Sequence, residues 1–306
     1  MPDTAGHVQC QKEIETGISI CEVGKDIFAV INSDDDSVFG GYGANQAFLI
    51  LESTVLVFDS GLSMSQARNL DNAIRSVTDK KVRYLINSHD HSDHVFGNSF
   101  FKNKYGSKGL VIISHEICRD NILAKGSKRL SSYRKIVGMK KNLENLEVCA
   151  PIFSYPDLGF RVEIEGTQLV FSHPPMGAHT LGDTVLYIPA KSLAFTGDVL
   201  WNHFLPNLED ANLEGWIDYL QEIDLATYRK FIPGHGEVSD SETVGEFLGY
   251  LKSVRENLLK VDLAKISARN ATSLSSCFSV NGTENWKLRS IIDHNIDALF
   301  LRRKGS

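Results

Sequence analysis

Residues 86–98, INSHDHSDHVFGN, contain a dense group of potential metal ligands. This stretch follows an apolar run that predicts a buried strand, and six consecutive residues contain four side chains able to bind metal. These are His89, His91, Asp93 and His94. In a loop, alternate residues can face the same way, so the first two histidines can bind one cation while the other two residues face a second. Imidazole nitrogen and carboxylate oxygen are typical ligands of zinc, and also of iron or manganese.

Three further candidate ligands lie at the ends of later predicted strands. His179 stands in MGAHTLGD before an apolar run, Asp198 ends LAFTGD, and His235 follows a strand in IPGHGE. Each has a glycine nearby, which allows the backbone to approach a crowded site closely. Because a layered sheet brings strand ends to one edge, we expect all three to join the first four.

The order of apolar runs predicts alternating layers of strands and helices. Strand pairs are predicted at residues 18–31 and 46–61, a helix at 63–79, and hairpins at 161–173 and 184–198. Further helices are predicted at residues 115–124, 129–146, 213–223, 239–268 and 285–302. This order indicates an α/β fold with mixed sheets inside and helices outside.

Composition and charge restrict the classes of function. The chain has 306 residues, is 42% hydrophobic and carries a net charge of −6, which is typical of a globular protein and disfavours binding to nucleic acid. No run approaches the roughly 18 apolar residues of a membrane helix. The exception to the acidic balance is residues 125–141, which contain seven lysines and arginines. They predict either a solvated helix face or an arm that attracts an anionic substrate.

The five cysteines are scattered and form no CxxC pair. This distribution favours free thiols in a reducing compartment over a disulfide framework. The first residues also lack the apolar segment of a signal peptide, so we expect a cytoplasmic protein.

At this point the sequence resembles the metallo-β-lactamase superfamily. The HxHxDH loop is followed in order by Gly-x-His-Thr (177–180), Thr-Gly-Asp (196–198) and Pro-Gly-His-Gly (233–236), and preceded by Asp59 in an Asp-x-Gly motif. The resemblance extends over roughly residues 20–245.

The resemblance implies a four-layer αββα sandwich. Residues 1–245 would form the metallo-β-lactamase-fold domain, and residues 246–306 a C-terminal helical extension packed on the same domain. The C-terminal part is similar to a branch of hydrolases of which some are named after the quinoprotein relay system.

The resemblance also implies the ligand set. The first metal would be bound by His89, His91 and His179, the second by Asp93, His94 and His235, and Asp198 would bridge them. A carboxylate at the bridging position resembles the glyoxalase-II and lactonase branches, whereas well-known β-lactamases commonly have Cys or Ser there.

The implied activity is hydrolysis with two zinc ions per chain, iron or manganese being possible substitutes. A hydroxide that bridges the metals would cleave an ester, thioester, lactone or β-lactam bond of a small molecule. Asp93 and Asp198 are the candidate catalytic residues, with Asp93 orienting the hydroxide and relaying its proton. His203 and Trp201 are candidate substrate contacts. No motif indicates the oligomeric state.

Two other reactions are compatible with this fold. A sulfur dioxygenase acting on persulfides would hold a single iron with two histidines and one aspartate. A phosphodiesterase or nuclease would use the basic residues 125–141, although the acidic net charge counts against it.

Overall fold

Two β-sheets lie face to face. The computed structural model describes residues 9–15, 18–32, 43–136, 140–156, 158–261 and 274–304. The first sheet contains, in spatial order, β1 (Gln9–Glu15), β2 (Ile18–Gly24), β3 (Ile27–Asn32), β4 (Gln46–Ile50), β5 (Thr54–Phe58), β6 (Lys81–Ile86), β7 (Val111–His115) and β8 (Phe153–Tyr155). Strands β1 to β5 are antiparallel and β5 to β8 are parallel, so the sheet is mixed.

The second sheet has five strands in the order β13-β12-β11-β10-β9. They are β9 (Gly159–Ile164), β10 (Thr167–Ser172), β11 (Val185–Ile188), β12 (Leu193–Trp201) and β13 (Lys230–His235). Only the β12–β13 pair is parallel. Every residue of β12 is buried, as expected of a strand covered on both faces.

Helices cover the outer faces of both sheets. They are α1 (Met64–Val77), α2 (Ser92–Val95), α3 (Asn98–Tyr105), α4 (Glu116–Tyr133), α5 (Lys140–Leu143), α6 (Leu213–Glu222), α7 (Ser241–Leu259), α8 (Ser275–Phe278) and α9 (Ile291–Lys304). Ser63 caps α1 by accepting a hydrogen bond from the backbone N–H of Gln66. None of the described helices is long and apolar enough to cross a membrane.

Three apolar clusters join these layers. One lies between the sheets and includes Phe58 and Phe195, and a second joins the first sheet to α1 and α3 through residues such as Leu70. The third joins the second sheet to α6, α7, α8 and α9, with Trp216 and Phe247 at its centre. The predicted four-layer αββα arrangement is confirmed.

The C-terminal helices share this third cluster with the sheet. The predicted boundary at residues 245–246 falls inside α7, and the division of the chain at that position stays a prediction. The part of the predicted 239–268 helix from residue 262 onward lies outside the described residues.

One helix is longer than its sequence indicates. The sequence predicts separate helices at 115–124 and 129–146. In the structure the first helix continues without a break into the start of the second, and together they form α4. Residues 137–139 lie outside the described residues. Gly126 lies between the two predicted ranges and is buried within this helix. A Cβ there would approach Cγ1 of Val148 to 2.8 Å, so this glycine permits close packing. The prediction was wrong because tertiary contact offsets the roughly 1 kcal/mol helix penalty of glycine.

The expectation of free thiols is wrong for two cysteines. The antiparallel register of β1 and β2 places Cys10 opposite Cys21, and the two form a disulfide. Strand β1 was not predicted from the sequence, so the pairing of these two cysteines could not be predicted either. Cys118, Cys149 and Cys277 are free and buried.

Candidate metal centre

Elements from both sheets deliver the seven predicted ligands to one place. The loop after β6 carries His89 and His91, and the short helix α2 carries the next two ligands, Asp93 and His94. The second sheet contributes the remaining three ligands: His179 from the β10–β11 connection, Asp198 within β12, and His235 at the end of β13. The side chains form two groups that could each hold a metal ion.

The first group comprises His89, His91, His179 and Asp198, whose ligand atoms lie within 4.8 Å of one another. Nε2 of His179 is 2.9 Å from Nδ1 of His91 and 3.2 Å from Oδ2 of Asp198. Nε2 of His89 is 3.8 Å from the same oxygen. These nitrogen and oxygen atoms therefore converge on one point.

The second group comprises Asp93, His94 and His235. Nε2 of His94 lies 3.1 Å, and Nε2 of His235 3.5 Å, from Oδ1 of Asp198. Nε2 of His235 is also 3.4 Å from Oδ2 of Asp93. The two oxygens of Asp198 thus face different groups, which is the geometry of a bridging carboxylate.

The residues present fit a pair of bound cations. Nε2 of His89 is buried without a hydrogen-bond partner among the described residues, an arrangement that is costly unless something binds the nitrogen. Gly234 leaves space against Asp198, because a Cβ at this position would overlap Oδ1 of that carboxylate. Five imidazoles and two carboxylates are a donor set suited to zinc.

Two carboxylates orient the ligand histidines from behind. Nδ1 of His94 donates to Oδ2 of Asp59 at 2.7 Å, which leaves Nε2 with its lone pair facing the centre. Asp59 is held in turn by the backbone N–H and the hydroxyl of Ser88, at 2.8 and 2.7 Å. Nε2 of His91 donates to Oδ2 of Asp210 at 3.1 Å, which leaves Nδ1 free for metal.

The sequence revealed these outer residues only in part. Asp59 stood out through its Asp-x-Gly motif but without a role. Asp210 has no motif and lies 12 residues after Asp198 in a connection whose path only the fold determines. Arg129 bridges Asp210, at 3.6 Å, and the carboxylate of Asp90, at 2.6 Å, and so ties α4 to the ligand loop.

Charges in the metal-free centre are strongly coupled. Burial alone would raise the pKa of Asp93 and Asp198, but the adjacent histidines lower both. Burial would lower the pKa of His235, yet Asp198 and Asp93 raise it to about 9. Burial lowers the pKa of His179 to about 3. The carboxylates and the histidines His94 and His235 therefore stabilise each other's charged forms.

The two predicted substrate contacts occupy different environments. Trp201 is fully buried, stacks on His235 with ring centroids 4.1 Å apart, and donates from Nε1 to the carbonyl oxygen of Asp198. Trp201 therefore contacts two of the predicted metal ligands, His235 and Asp198, and restricts their movement. His203 is 61% exposed and pairs with Glu246 at 3.2 Å. Their contact with substrate stays a prediction.

A cleft of about 650 Å³ opens above the centre. Its floor includes His91, Asp93 and Asp198, one wall is a face of α4, and the opposite side includes Glu209 and Asp210. This volume suits a small molecule, and pockets of this size bury most of a small ligand.

Together the αββα layers and the paired His/Asp groups define a class of metal-binding proteins with a site between two sheets. Residues 40–235 match the family model described as the metallo-beta-lactamase superfamily, and the chain belongs to this superfamily.

Among curated proteins, the chain is similar to a linear primary-alkylsulfatase from Pseudomonas sp., with 26% identity over 63% of this chain and 42% of that protein. It is also similar to a beta-lactamase-like protein 2 homolog from Caenorhabditis elegans, with 26% identity over 62% of this chain and 56% of that protein. Metallo-beta-lactamase IND-1 from Chryseobacterium indologenes is 24% identical over 65% and 75% of the two chains. The chain thus spans about half the length of the first two relatives.

Solved structures show the same fold at low identity. A metallo-beta-lactamase from Pontibacter korlensis superimposes with a TM-score of 0.60 and 16% identity, over 77% of this chain and 99% of that one. Metallo-beta-lactamase FIM-1 from Pseudomonas aeruginosa, in its mono-zinc form, gives a TM-score of 0.61 and 14% identity, over 78% and 97%.

Proposed function

We propose that this protein is a binuclear metal-dependent hydrolase that cleaves an ester, thioester, lactone or β-lactam bond of a small molecule. The observation that carries the proposal is the placement of Asp198. Its Oδ2 lies 3.2 Å from His179 and its Oδ1 lies 3.1 Å from His94, so one carboxylate faces both ligand groups.

In this proposal His89, His91 and His179 bind the first ion, Asp93, His94 and His235 bind the second, and Asp198 bridges them. The ions are two zincs per chain, with iron or manganese as substitutes that the same ligands accept. When bound, such ions lower the pKa of water to near neutrality and polarise a carbonyl oxygen.

The chain's own residues position the reactants. Asp93 lines the cleft, so its carboxylate is placed to accept a hydrogen bond from the attacking water and to take up its proton. Asp59 and Asp210 hold His94 and His91 in the required tautomers, and buried Trp201 restricts the movement of His235. The site needs no nucleophilic side chain.

Persulfide oxidation by a single iron, bound by two histidines and one aspartate, is the alternative reaction, and the metal content of the protein distinguishes it from the binuclear hydrolase. Phosphodiester hydrolysis has weaker support, because the chain is acidic overall and the cleft suits a small molecule. The relative named as an alkylsulfatase adds sulfate esters to the substrates that merit assay.

The first experiment is elemental mass spectrometry of the purified protein, paired with assays of a chromogenic cephalosporin, a thioester, a lactone and an aryl sulfate. We expect two zincs per chain and turnover of one substrate class. Asp198→Ala should abolish both, whereas Asp218→Ala, at an exposed position of α6, should change neither. One iron per chain without hydrolysis would overturn the proposal.

A further inference from the structure

One face of α4 forms a wall of the cleft. Ala124, Lys125, Lys128, Arg129, Ser132 and Tyr133 all line the cleft, and their spacing places them on one side of a helix. The adjacent side of α4, with Ile122, Gly126 and Leu130, is buried against the protein. The helix therefore presents a basic stripe to the space above the metal centre.

The position of this stripe is fixed by bonds to the ligand loop. Nη1 of Arg129 donates to the backbone oxygen of Asp90 at 2.8 Å and to its carboxylate at 2.6 Å. Nδ2 of Asn121 donates to the same carboxylate at 3.1 Å. Asp90 lies between His89 and His91 in sequence, so α4 and the metal ligands are held in one arrangement.

The acidic residues of the cleft are already compensated. Asp210 accepts from His91 and lies 3.6 Å from Arg129, while Glu209 pairs with His294 at 3.0 Å. Asp93 and Asp198 face the metal positions, where bound dications would outweigh their charge.

Lys125 and Lys128 differ from Arg129. Both are exposed, and neither forms an ion pair with any of the residues for which the structure describes side chains. The charge of Lys125 also acts on Asp210. Because Asp210 is already bonded to His91, the positive charge of both lysines still acts on an anion in the cleft. Low-dielectric walls strengthen such an attraction compared with an open surface.

We infer that the substrate is an anion whose carboxylate, sulfate or phosphate group is bound by Lys125 and Lys128 while its reactive bond lies over the metal centre. This inference rests on the proposed function, since it assigns the substrate class of the same site. It also gives a role to the basic segment 125–141: its first half lines the cleft, whereas Lys135 and Lys141 are exposed and do not.

Binding of matched thiols to the zinc-loaded protein tests the inference without turnover. The probes are mercapto acids of two to six carbons and their uncharged amides, because both series present a thiolate to zinc and differ in the distal charge. The wild type and its variants are compared with the same pairs of probes, so differences in thiol pKa within a pair cancel. Isothermal titration should show the best acid binding about tenfold more tightly than its amide, or about 1.4 kcal/mol. The preference should shrink as salt is raised from about 0.02 to 0.5 M.

In the double variant Lys125→Gln/Lys128→Gln, the affinity for the best acid should be less than about twofold higher than that for its amide. The affinity for the amide itself should not change. Lys135→Gln/Lys141→Gln removes the same charge from the same segment and should keep the wild-type preference. An undiminished preference in the first double variant, or an equal loss in both, would overturn the inference.

The outcome is separable from that of the proposed function. A protein that prefers the acids through Lys125 and Lys128 but hydrolyses none of the substrates would retain the anion site and refute the hydrolase. A protein that hydrolyses a substrate but binds acids and amides equally would support the hydrolase and refute the anion site.

Discussion

Gly234 stands where the second sheet comes closest to the bridging carboxylate. A Cβ on this residue would overlap Oδ1 of Asp198, an atom that β12 and β13 together hold in a fixed place. Gly234→Ala should therefore displace the carboxylate and weaken zinc binding by on the order of 100-fold, which chelator competition would measure.

The matched control is Gly245→Ala in α7, where a Cβ would meet nothing within 4 Å. This change should leave zinc affinity intact and stabilise the helix by up to about 1 kcal/mol. Equal zinc affinity in Gly234→Ala and the wild type would show that Asp198 is not confined as described.

Asp59 acts through His94. Asp59→Asn retains the shape of the side chain but removes the charge that favours Nδ1–H of His94, so the imidazole can adopt the wrong tautomer. We expect zinc affinity to fall about 10- to 100-fold, again by chelator competition. Asp218→Asn, an exposed change of the same kind, should have no effect; a similar loss in both variants would contradict the role given to Asp59.

Among the secondary-structure elements, α9 holds the loop that carries Asp210, the residue that orients His91. Asn295 is 1% exposed; its Oδ1 accepts from the backbone N–H of Leu208 at 2.8 Å, and its Nδ2 donates to the carbonyl oxygen of Pro206 at 3.0 Å. The same loop continues to Asp210, which orients His91. The C-terminal helix is therefore coupled to the metal centre through backbone contacts.

Asn295→Ala should cost about 1–3 kcal/mol of unfolding free energy, because two buried hydrogen bonds are lost. It should also weaken binding of the first zinc more than that of the second. Urea denaturation and zinc titration would measure these effects. Asp297→Ala, exposed on the same helix, should stay within about 0.5 kcal/mol of wild type. Loss of stability with unchanged zinc binding would show that α9 does not act on the centre.

At the scale of the whole molecule, the centre joins two sheets. His89, His91, Asp93 and His94 come from the first, and His179, Asp198 and His235 from the second. Ions bound between them would favour the folded state over the unfolded one, in which the ligands are far apart. Removal of metal with a chelator should therefore lower Tm, and zinc should restore it.

Zinc binding should also release protons. The metal-free protein holds a proton on His235, whose pKa is about 9, and on His94, whose pKa is raised by Asp198, Asp59 and Asp93 against the effect of burial. Zinc requires the unprotonated imidazoles, so protons should leave the chain when zinc binds at pH 7.5.

Zinc affinity should rise as pH increases toward 9 and fall as pH decreases, since protons compete for the same nitrogens. Calorimetric titration in buffers of different ionisation enthalpy measures the protons released. An enthalpy that does not depend on the buffer would contradict the assignment.

Much of the fold and of the candidate metal centre could be predicted from the sequence. The HxHxDH stretch, the three later glycine-flanked ligands and the alternation of apolar runs sufficed to predict the layered fold and the seven residues that the structure brings together. Such predictions succeed because these signals are local. Each ligand follows or ends a strand that can be recognised from a few neighbouring residues, and strand ends meet at one edge of a sheet.

Contacts between distant segments were decided by the tertiary structure alone. Asp210 reaches His91, and Asn295 reaches the loop before Asp210. Gly126 lies inside a helix because Val148 packs against it. Each depends on which surfaces pack together, and packing is a property of the assembled layers that no local stretch of residues encodes.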